Sequence, residues 1–181
     1  RQVELDAIAE ASKTFDAERL DHRISGIIAR ELRARGNECG KTTRRFLGSI
    51  THKGCIWRFD SVDVLCPKVY EFTDSWELAG ASLARLHAAA SENGWNTIAC
   101  LSPEDPKHLE HLLIPGLGLA FVTSRPGMDY GKKPYRRIRL ETAVESKARM
   151  RFQTRMTALL REEAVGALKE AKRNHDALEA I

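Results

Sequence analysis

The sequence lacks the hydrophobic segments that membrane and secreted proteins carry. It has no uninterrupted apolar run of about 18 residues, the length that a helix needs to cross a bilayer. No short apolar segment follows a basic N-terminus, as it would in a secretory signal peptide. These absences predict a cytoplasmic protein with no membrane partner.

Cysteine pairs and a strong excess of one charge are also missing. The four cysteines are scattered, without a Cys-x-x-Cys pair or a His-x-x-x-His partner, which excludes a recognisable zinc motif or a compact disulfide framework and predicts reduced thiols. Lys and Arg total 29 against 25 for Asp and Glu, a net charge of +4. That excess is too small to indicate nucleic-acid binding by itself.

The hydrophobic pattern divides the chain into three parts and predicts an α/β fold. Residues 1–40 have the spacing of two amphipathic helices, with a break near residues 14–16, followed by a linker. Residues 41–139 hold the strand signals "CIWRF", "KVYEF", "NTIACLS" and "LGLAFVTS", with a helix pattern over residues 76–93 between two of them, which predicts a parallel sheet. Residues 140–181 predict one long amphipathic helix, bent near Gly166 and charged on its solvent face.

The segment "GNECGKTT", residues 36–43, contains Gly-Lys-Thr but does not fit a phosphate-binding loop. The motif needs a glycine five positions before Gly40, where this chain has Arg35. A phosphate loop also follows a strand and opens a helix, whereas this segment follows a charged helix pattern and precedes the strand-like "RRFLGSIT". We interpret it as a linker.

A second segment, "KVYEFTDSWELAGASLARLHAAA" (residues 68–90), has the right strand, loop and helix but the wrong side chains. Alignment with Gly-x-x-x-x-Gly-Lys-Ser keeps Gly80 and Ser82, and places Ser75 at the first glycine and Ala81 at the lysine. Alanine cannot neutralise the β and γ phosphates as lysine does. Asp74 and Glu77 also form a potential Asp-x-x-Glu capping box, whose carboxylates would occupy the free amides of the helix start and repel a phosphate.

The strand "LGLAFVTS" also indicates whether this chain can bind a nucleotide with magnesium. In phosphate-loop enzymes a later apolar strand ends in an aspartate that holds magnesium. This strand ends in Thr123 and Ser124. Ser82 remains as one neutral magnesium ligand, which by itself makes a poor metal site. The degenerate site predicted from the sequence therefore consists of Ser75, Gly80, Ala81, Ser82 and Thr123, without a catalytic residue, a metal or a cofactor.

Four segments together resemble a family of bacterial P-loop ATPase-like proteins that carry two tandem copies of the domain. They are "TTRRFLGSITHKG" (residues 42–54), the strand, loop and helix around Gly80, "LEHLLIPGLGLAFVTS" (residues 109–124) and "EAKRNHDALEAI" (residues 170–181). The resemblance covers residues 42–181 and implies a P-loop NTPase-like core over residues 41–139. It also implies that residues 140–181 pack on that core or on the N-terminal helices.

A weak internal repeat suggests how this chain would fit such a tandem protein. "EASKTFDA" (residues 10–17) and "EAKRNHDA" (residues 170–177) share four identical positions at an offset of 160 residues. We therefore interpret residues 1–40 as the tail of a preceding copy, with an intact phosphate loop expected about eighty residues before Arg1. The preceding copy is the expected partner, and a homodimer is the other partner considered.

The remaining candidates have structural alternatives. His108 and His111 lie three apart on a predicted short helix and, with Glu104 or Asp105, could ligate a metal, although surface positions are the simpler interpretation. The basic segment over residues 132–139, interleaved with Tyr130 and Tyr135, could contact phosphates, although a mobile loop before a helix is favoured. The three tryptophans are interpreted as packing residues.

Three functions follow from these patterns. The favoured one is a degenerate P-loop domain without catalysis, with a structural or regulatory role beside an active ATPase copy. The second is a weak ATP-binding or ATP-hydrolysing protein that uses ATP with magnesium. The third is a nucleic-acid adaptor that uses the basic segment 132–139, for which salt-dependent binding would be diagnostic.

Overall fold

The computed structural model describes residues 2–36, 38–140 and 147–179. Within these residues there are five α-helices: α1 Gln2–Thr14, α2 Ala17–Glu31, α3 Phe59–Leu65, α4 Gly80–Glu92 and α5 Lys147–Glu179. Eight strands span β1 Thr42–Phe46, β2 Gly48–Thr51, β3 Gly54–Trp57, β4 Lys68–Thr73, β5 Thr97–Leu101, β6 Leu109–Ile114, β7 Leu119–Ser124 and β8 Arg136–Arg139. The predicted α/β class is confirmed.

Six strands form one mixed sheet in the order β1-β5-β6-β7-β4-β8, and β2 and β3 form a separate antiparallel hairpin. The prediction of a parallel sheet is wrong for β6, which runs antiparallel to both β5 and β7. The reason is the short connection from β6 through a single 3-10 turn at Pro115–Leu117, where Gly118 takes the left-handed conformation (φ 59°) that reverses the chain. The strand predicted as "CIWRF" lies in the hairpin as β3.

Two helix layers cover the sheet. On one face α2 and α4 bury Ile24, Leu83 and Leu86 against Tyr70 and Phe121 of the central strands. On the other face α3 packs Phe59 and Val62 against sheet residues that include Val69, Leu113 and Val122. The strand residues alternate between the two cores, as the period of a β-strand requires.

The N-terminal helices confirm their prediction, including the break at Phe15 and Asp16, where Asp16 caps α2 by accepting from the Arg19 amide at 3.0 Å. α2 belongs to the main core, and Ala11 of α1 is buried against Trp76. The apolar faces of both helices thus have partners within this chain. Whether residues 1–40 are the tail of a preceding copy stays a prediction.

The C-terminal helix α5 has 33 residues, a length of about 50 Å, and continues as one helix through Gly166. It lies against α1 and against β2 of the hairpin. Among the described residues, no helix combines the length and the apolar character needed to cross a bilayer. The first part of the predicted helix, residues 141–146, lies outside the described residues.

Candidate functional site

The carboxyl edge of the sheet brings together the polar residues of the predicted site. β4 and β7 are parallel neighbours, with Phe72 opposite Thr123 and Thr73 opposite Ser124, so the turn after β4 starts beside the end of β7. Ser75, Gly80, Ala81 and Ser82 follow in that turn and in the first turn of α4. In α/β sheets ligands commonly bind at this edge, so these residues form the candidate ligand-binding site.

The turn after β4 is closed by its own aspartate. Asp74 is 3% exposed, and its Oδ1 accepts from the amides of Trp76 (3.3 Å) and Leu78 (2.9 Å), while Oδ2 accepts from the amide of Ala79 (2.7 Å). Burial raises the pKa of Asp74, and the three amide donors oppose that rise. A carboxylate of the protein therefore accepts from the backbone amides that an anion would otherwise need in this turn.

The predicted capping box holds only in part. Asp74 captures the free amides as expected, but the residue that precedes α4 is Ala79, whose side chain cannot cap. Glu77 instead adopts a left-handed backbone with φ 54°, which is uncommon for a residue other than glycine. Gly80 lies next to His108, whose Cε1 would be 3.0 Å from an added Cβ, so a larger residue here would require the imidazole to shift by a few tenths of an ångström.

A second group of buried polar residues lies on the α3 side of the same edge. The pairing of β5 with β6 shifts between Cys100 and Leu101, so that Glu110 is an extra residue in β6. Such a bulge redirects side chains. It places the Glu110 Oε2 atom 3.5 Å from the His111 Nε2 atom, next to Phe59, whose ring meets the imidazole edge to face at 5.5 Å.

The structure corrects the prediction for the two histidines. They do not lie on a helix, because Leu109–Ile114 is a strand. His111 is fully buried, and its Nδ1 accepts from the Thr123 amide at 3.1 Å, so its proton resides on Nε2. His108 faces Gly80 on α4, on the other side of the sheet. Among the described residues, one group of side chains is close enough together to hold a metal ion, the exposed His175, Asp176 and Glu179 of α5, where Lys172 already pairs with Asp176.

Arg125 connects the buried residues Glu110 and His111 to α5, and these three residues form the buried cluster. Its side chain is 7% exposed and its Nη1 donates to the Glu110 Oε1 atom at 2.6 Å. Arg161 of α5 donates to both oxygens of Glu104, at 2.8 and 2.7 Å, and the Arg125 Nη2 atom lies 4.0 Å from the same carboxylate. Within the part of the chain that the structure describes, three of these buried atoms have no hydrogen-bond partner: Glu110 Oε2, His111 Nε2 and Arg125 Nη2.

The protonation states follow from this environment. Burial lowers the pKa of His111, so its imidazole is neutral. Burial opposes ionisation of Glu110, but the contacts with His111 and Arg125 outweigh it and lower the pKa of the Glu110 carboxyl overall. Glu110 is thus ionised and His111 is neutral.

Sequence reasoning identified Asp74 but missed Glu71, Glu110 and Arg125. Glu71 is 1% exposed, with Oε1 accepting from the Ser124 hydroxyl (2.7 Å) and Oε2 from the Arg137 Nε atom (2.6 Å). The available signal was an acidic residue inside each of the apolar strands "KVYEF" and "LEHLLI". A buried strand tolerates a charge only where a partner compensates it.

The prediction of a loop over residues 132–139 is also corrected in part. Residues 136–139 form the edge strand β8 rather than a loop. Two of its cations pair with acids of this chain: Arg137 with Glu71, and Lys132 with Asp63. The Arg136 guanidinium lies 5.6 Å from the ring centre of Tyr135.

The four cysteines are free, and burial raises the pKa of Cys66 to about 11 and of Cys100 to about 12, which makes both thiols unreactive.

No protein-family model, curated protein or solved structure matches this chain. The resemblance to the tandem P-loop family therefore stays a prediction.

Stability should fall on acidification from pH 6.5 to 5 because of His111. Its folded pKa lies below the unfolded value, so the unfolded chain binds the proton first, and the free energy of unfolding falls by up to about 2 kcal/mol in this window. His87, whose pKa is also lowered by burial, contributes in the same direction. Urea unfolding at several pH values should show a flatter profile for His111→Asn, and an unchanged one for the exposed His22→Gln. Equal slopes for His111→Asn and the wild type would contradict a neutral buried imidazole.

Proposed function

We propose that this chain is a non-catalytic α/β domain with a structural or regulatory role, in which the phosphate-loop turn after β4 is closed by the protein's own carboxylate. The observation that carries the proposal is the position of Asp74, which accepts from three amides of the turn. In a nucleotide-binding loop these amides would face a phosphate. With Asp74 in place, the amides are used and the local charge repels an anion.

The other residues of the turn support the same conclusion. Ala81 is exposed at the position where a lysine would reach the terminal phosphates. Thr123 is 4% exposed and donates its hydroxyl proton to the Glu110 carbonyl at 3.2 Å, so its side chain is used within the sheet. The turn thus offers neither a cation nor a carboxylate arranged for magnesium.

The proposed regulatory partner is the active copy expected from the family resemblance. In that arrangement this domain would pack on an intact ATPase domain and contribute surface rather than chemistry. The nucleic-acid adaptor is less well supported, because Lys132 and Arg137 of the basic segment pair with acids of the chain itself.

A titration with a fluorescent ATP analogue tests the proposal. We expect no magnesium-dependent turnover and no binding that depends on Ser82 in the wild type. Ala81→Lys should also bind no tighter than about 1 mM, because Asp74 still occupies the amides and repels the phosphates. The double variant Asp74→Ala/Ala81→Lys, which opens the turn and supplies the cation, is the informative comparison and should gain affinity.

Two outcomes would contradict the proposal. One is micromolar binding in the wild type that Ser82→Ala abolishes, and the other is micromolar binding in Ala81→Lys alone. Either would mean that Asp74 can leave the turn at little cost.

A further inference from the structure

A separate cleft lies between the β2-β3 hairpin, the segment after β7 and helix α5. Its volume is about 610 Å³, within the range of small-molecule sites. The cleft is lined by distant parts of the sequence, so the local patterns could not reveal it. Six of its lining residues carry the argument: Lys53, Trp57, Glu104, Arg125, Arg161 and Lys169.

The cleft is lined by the guanidinium of Arg125, one nitrogen of which has no hydrogen-bond partner among the described residues. Arg125 is 93% buried as a side chain, since only 7% is exposed, and its Nη1 is committed to Glu110. Among the described residues its Nη2 has no hydrogen-bond acceptor, and the Glu104 Oε2 atom lies 4.0 Å away. A buried charged donor without a partner is costly, and an acceptor oxygen from a ligand would remove that cost.

The charge of the cleft favours an anion. Four cationic side chains line it against two carboxylates, those of Glu104 and Glu162. Arg161 holds Glu104 through two hydrogen bonds and thereby balances its charge. Lys53 and Lys169 are exposed and lie on opposite sides of the cleft, on the hairpin and on α5. A negatively charged ligand would therefore meet the buried guanidinium of Arg125 and the two exposed cations Lys53 and Lys169.

The remaining walls favour a flat apolar body. The Trp57 indole lies next to Arg125, with the guanidinium carbon 5.8 Å from the ring centre, and donates its own proton to the Gly127 carbonyl. Met128, Pro126 and Val165 provide the apolar lining. An aromatic ring system could pack on these residues while its anionic group reaches Arg125.

We propose that this cleft binds a small aromatic anion, with a flat apolar body and one carboxylate, sulfonate or phosphate group. The site is distinct from the closed turn after β4 and does not depend on its properties. Ligand binding would bridge the sheet, through Arg125, and the helix α5, through Lys169.

The probe is 8-anilinonaphthalene-1-sulfonate, with N-phenyl-1-naphthylamine as the same body without the sulfonate. We expect the sulfonate to bind at one site with a Kd of about 10–100 μM. The amine should bind at least about fivefold more weakly, because it cannot satisfy Arg125. The fluorescence titration uses the full chain.

Matched charge reversals locate the site. Lys53→Glu/Lys169→Glu reverses both exposed cations of the cleft and should weaken sulfonate binding at least about fivefold. Lys41→Glu/Arg173→Glu changes the net charge equally at exposed positions that do not line the cleft, and should change the Kd less than about twofold. A second readout is the indole N–H resonance of Trp57, assigned with Trp57→Phe, which should shift on addition of the sulfonate.

Three results would overturn the proposal: equal losses in the two double variants, equal affinity for the sulfonate and the amine, or no binding of the sulfonate. The same variants separate this site from the closed turn. Binding of an ATP analogue that is lost in Lys53→Glu/Lys169→Glu but kept in Ser82→Ala would be assigned to the cleft, and the proposal of a closed turn would be unaffected.

Discussion

Replacing Arg125 with methionine should lower the free energy of unfolding by about 3–5 kcal/mol, the largest effect that we expect from a single substitution in this chain. The reason is the partner left behind. Glu110 is 1% exposed, and Arg125 donates to its Oε1 atom at 2.6 Å. Without the guanidinium, the Glu110 carboxylate would be buried beside a neutral imidazole, and it would have to take up a proton or draw in water.

A double-mutant cycle tests whether the pair, rather than the arginine alone, carries this cost. Glu110→Gln/Arg125→Met removes both charges and should recover at least half of the loss seen in Arg125→Met, because no buried charge remains unpaired. Urea unfolding of the four proteins gives the coupling energy. The exposed pair of Arg58 and Asp60 is the control, and Arg58→Met should cause no measurable change. Additive effects of the two cluster substitutions would contradict the assignment.

The second large effect is expected at Asp74. Asp74→Ala should cost about 2–4 kcal/mol, because three amides lose their acceptor and two of them belong to the buried residues Trp76 and Ala79. Asp74→Asn keeps one acceptor oxygen and should cost less. The control is Asp129→Ala, since Asp129 is exposed and accepts from a single amide, that of Gly131, which water can replace at under about 1 kcal/mol.

An anion should rescue the emptied turn. If the amides that hold Asp74 form an anion site, inorganic phosphate should raise the unfolding midpoint of Asp74→Ala more than that of the wild type. Thermal unfolding with and without phosphate, at constant ionic strength, measures this difference. An equal response of the two proteins, or a cost of Asp74→Ala no larger than that of Asp129→Ala, would show that the carboxylate does not hold the turn together.

The sequence by itself determined the elements whose pattern is local. The helical spacing located α1, α2, α4 and α5, and the short strand signals located β3, β4, β5 and β7, because burial on one or both faces leaves a periodicity along the chain. The strand-like "RRFLGSIT" also overlaps β1 and β2. It also indicated that Asp74 would take up the amides of the turn, since a carboxylate immediately before a helix competes for these donors.

Only the tertiary structure decided the remaining elements and the residues of the site. β8 is an edge strand in which only Ile138 is buried, so it carries little apolar signal. β6 contains Glu110 and His111, and because of these polar residues its sequence pattern indicated a polar helix rather than a buried strand. The bulge that turns Glu110 toward Arg125, and the placement of α5 across the hairpin, depend on residues far apart in sequence. Burial of a charge is a property of its neighbours, which is why the pairs of Glu71 with Arg137 and of Glu110 with Arg125 became visible only in three dimensions.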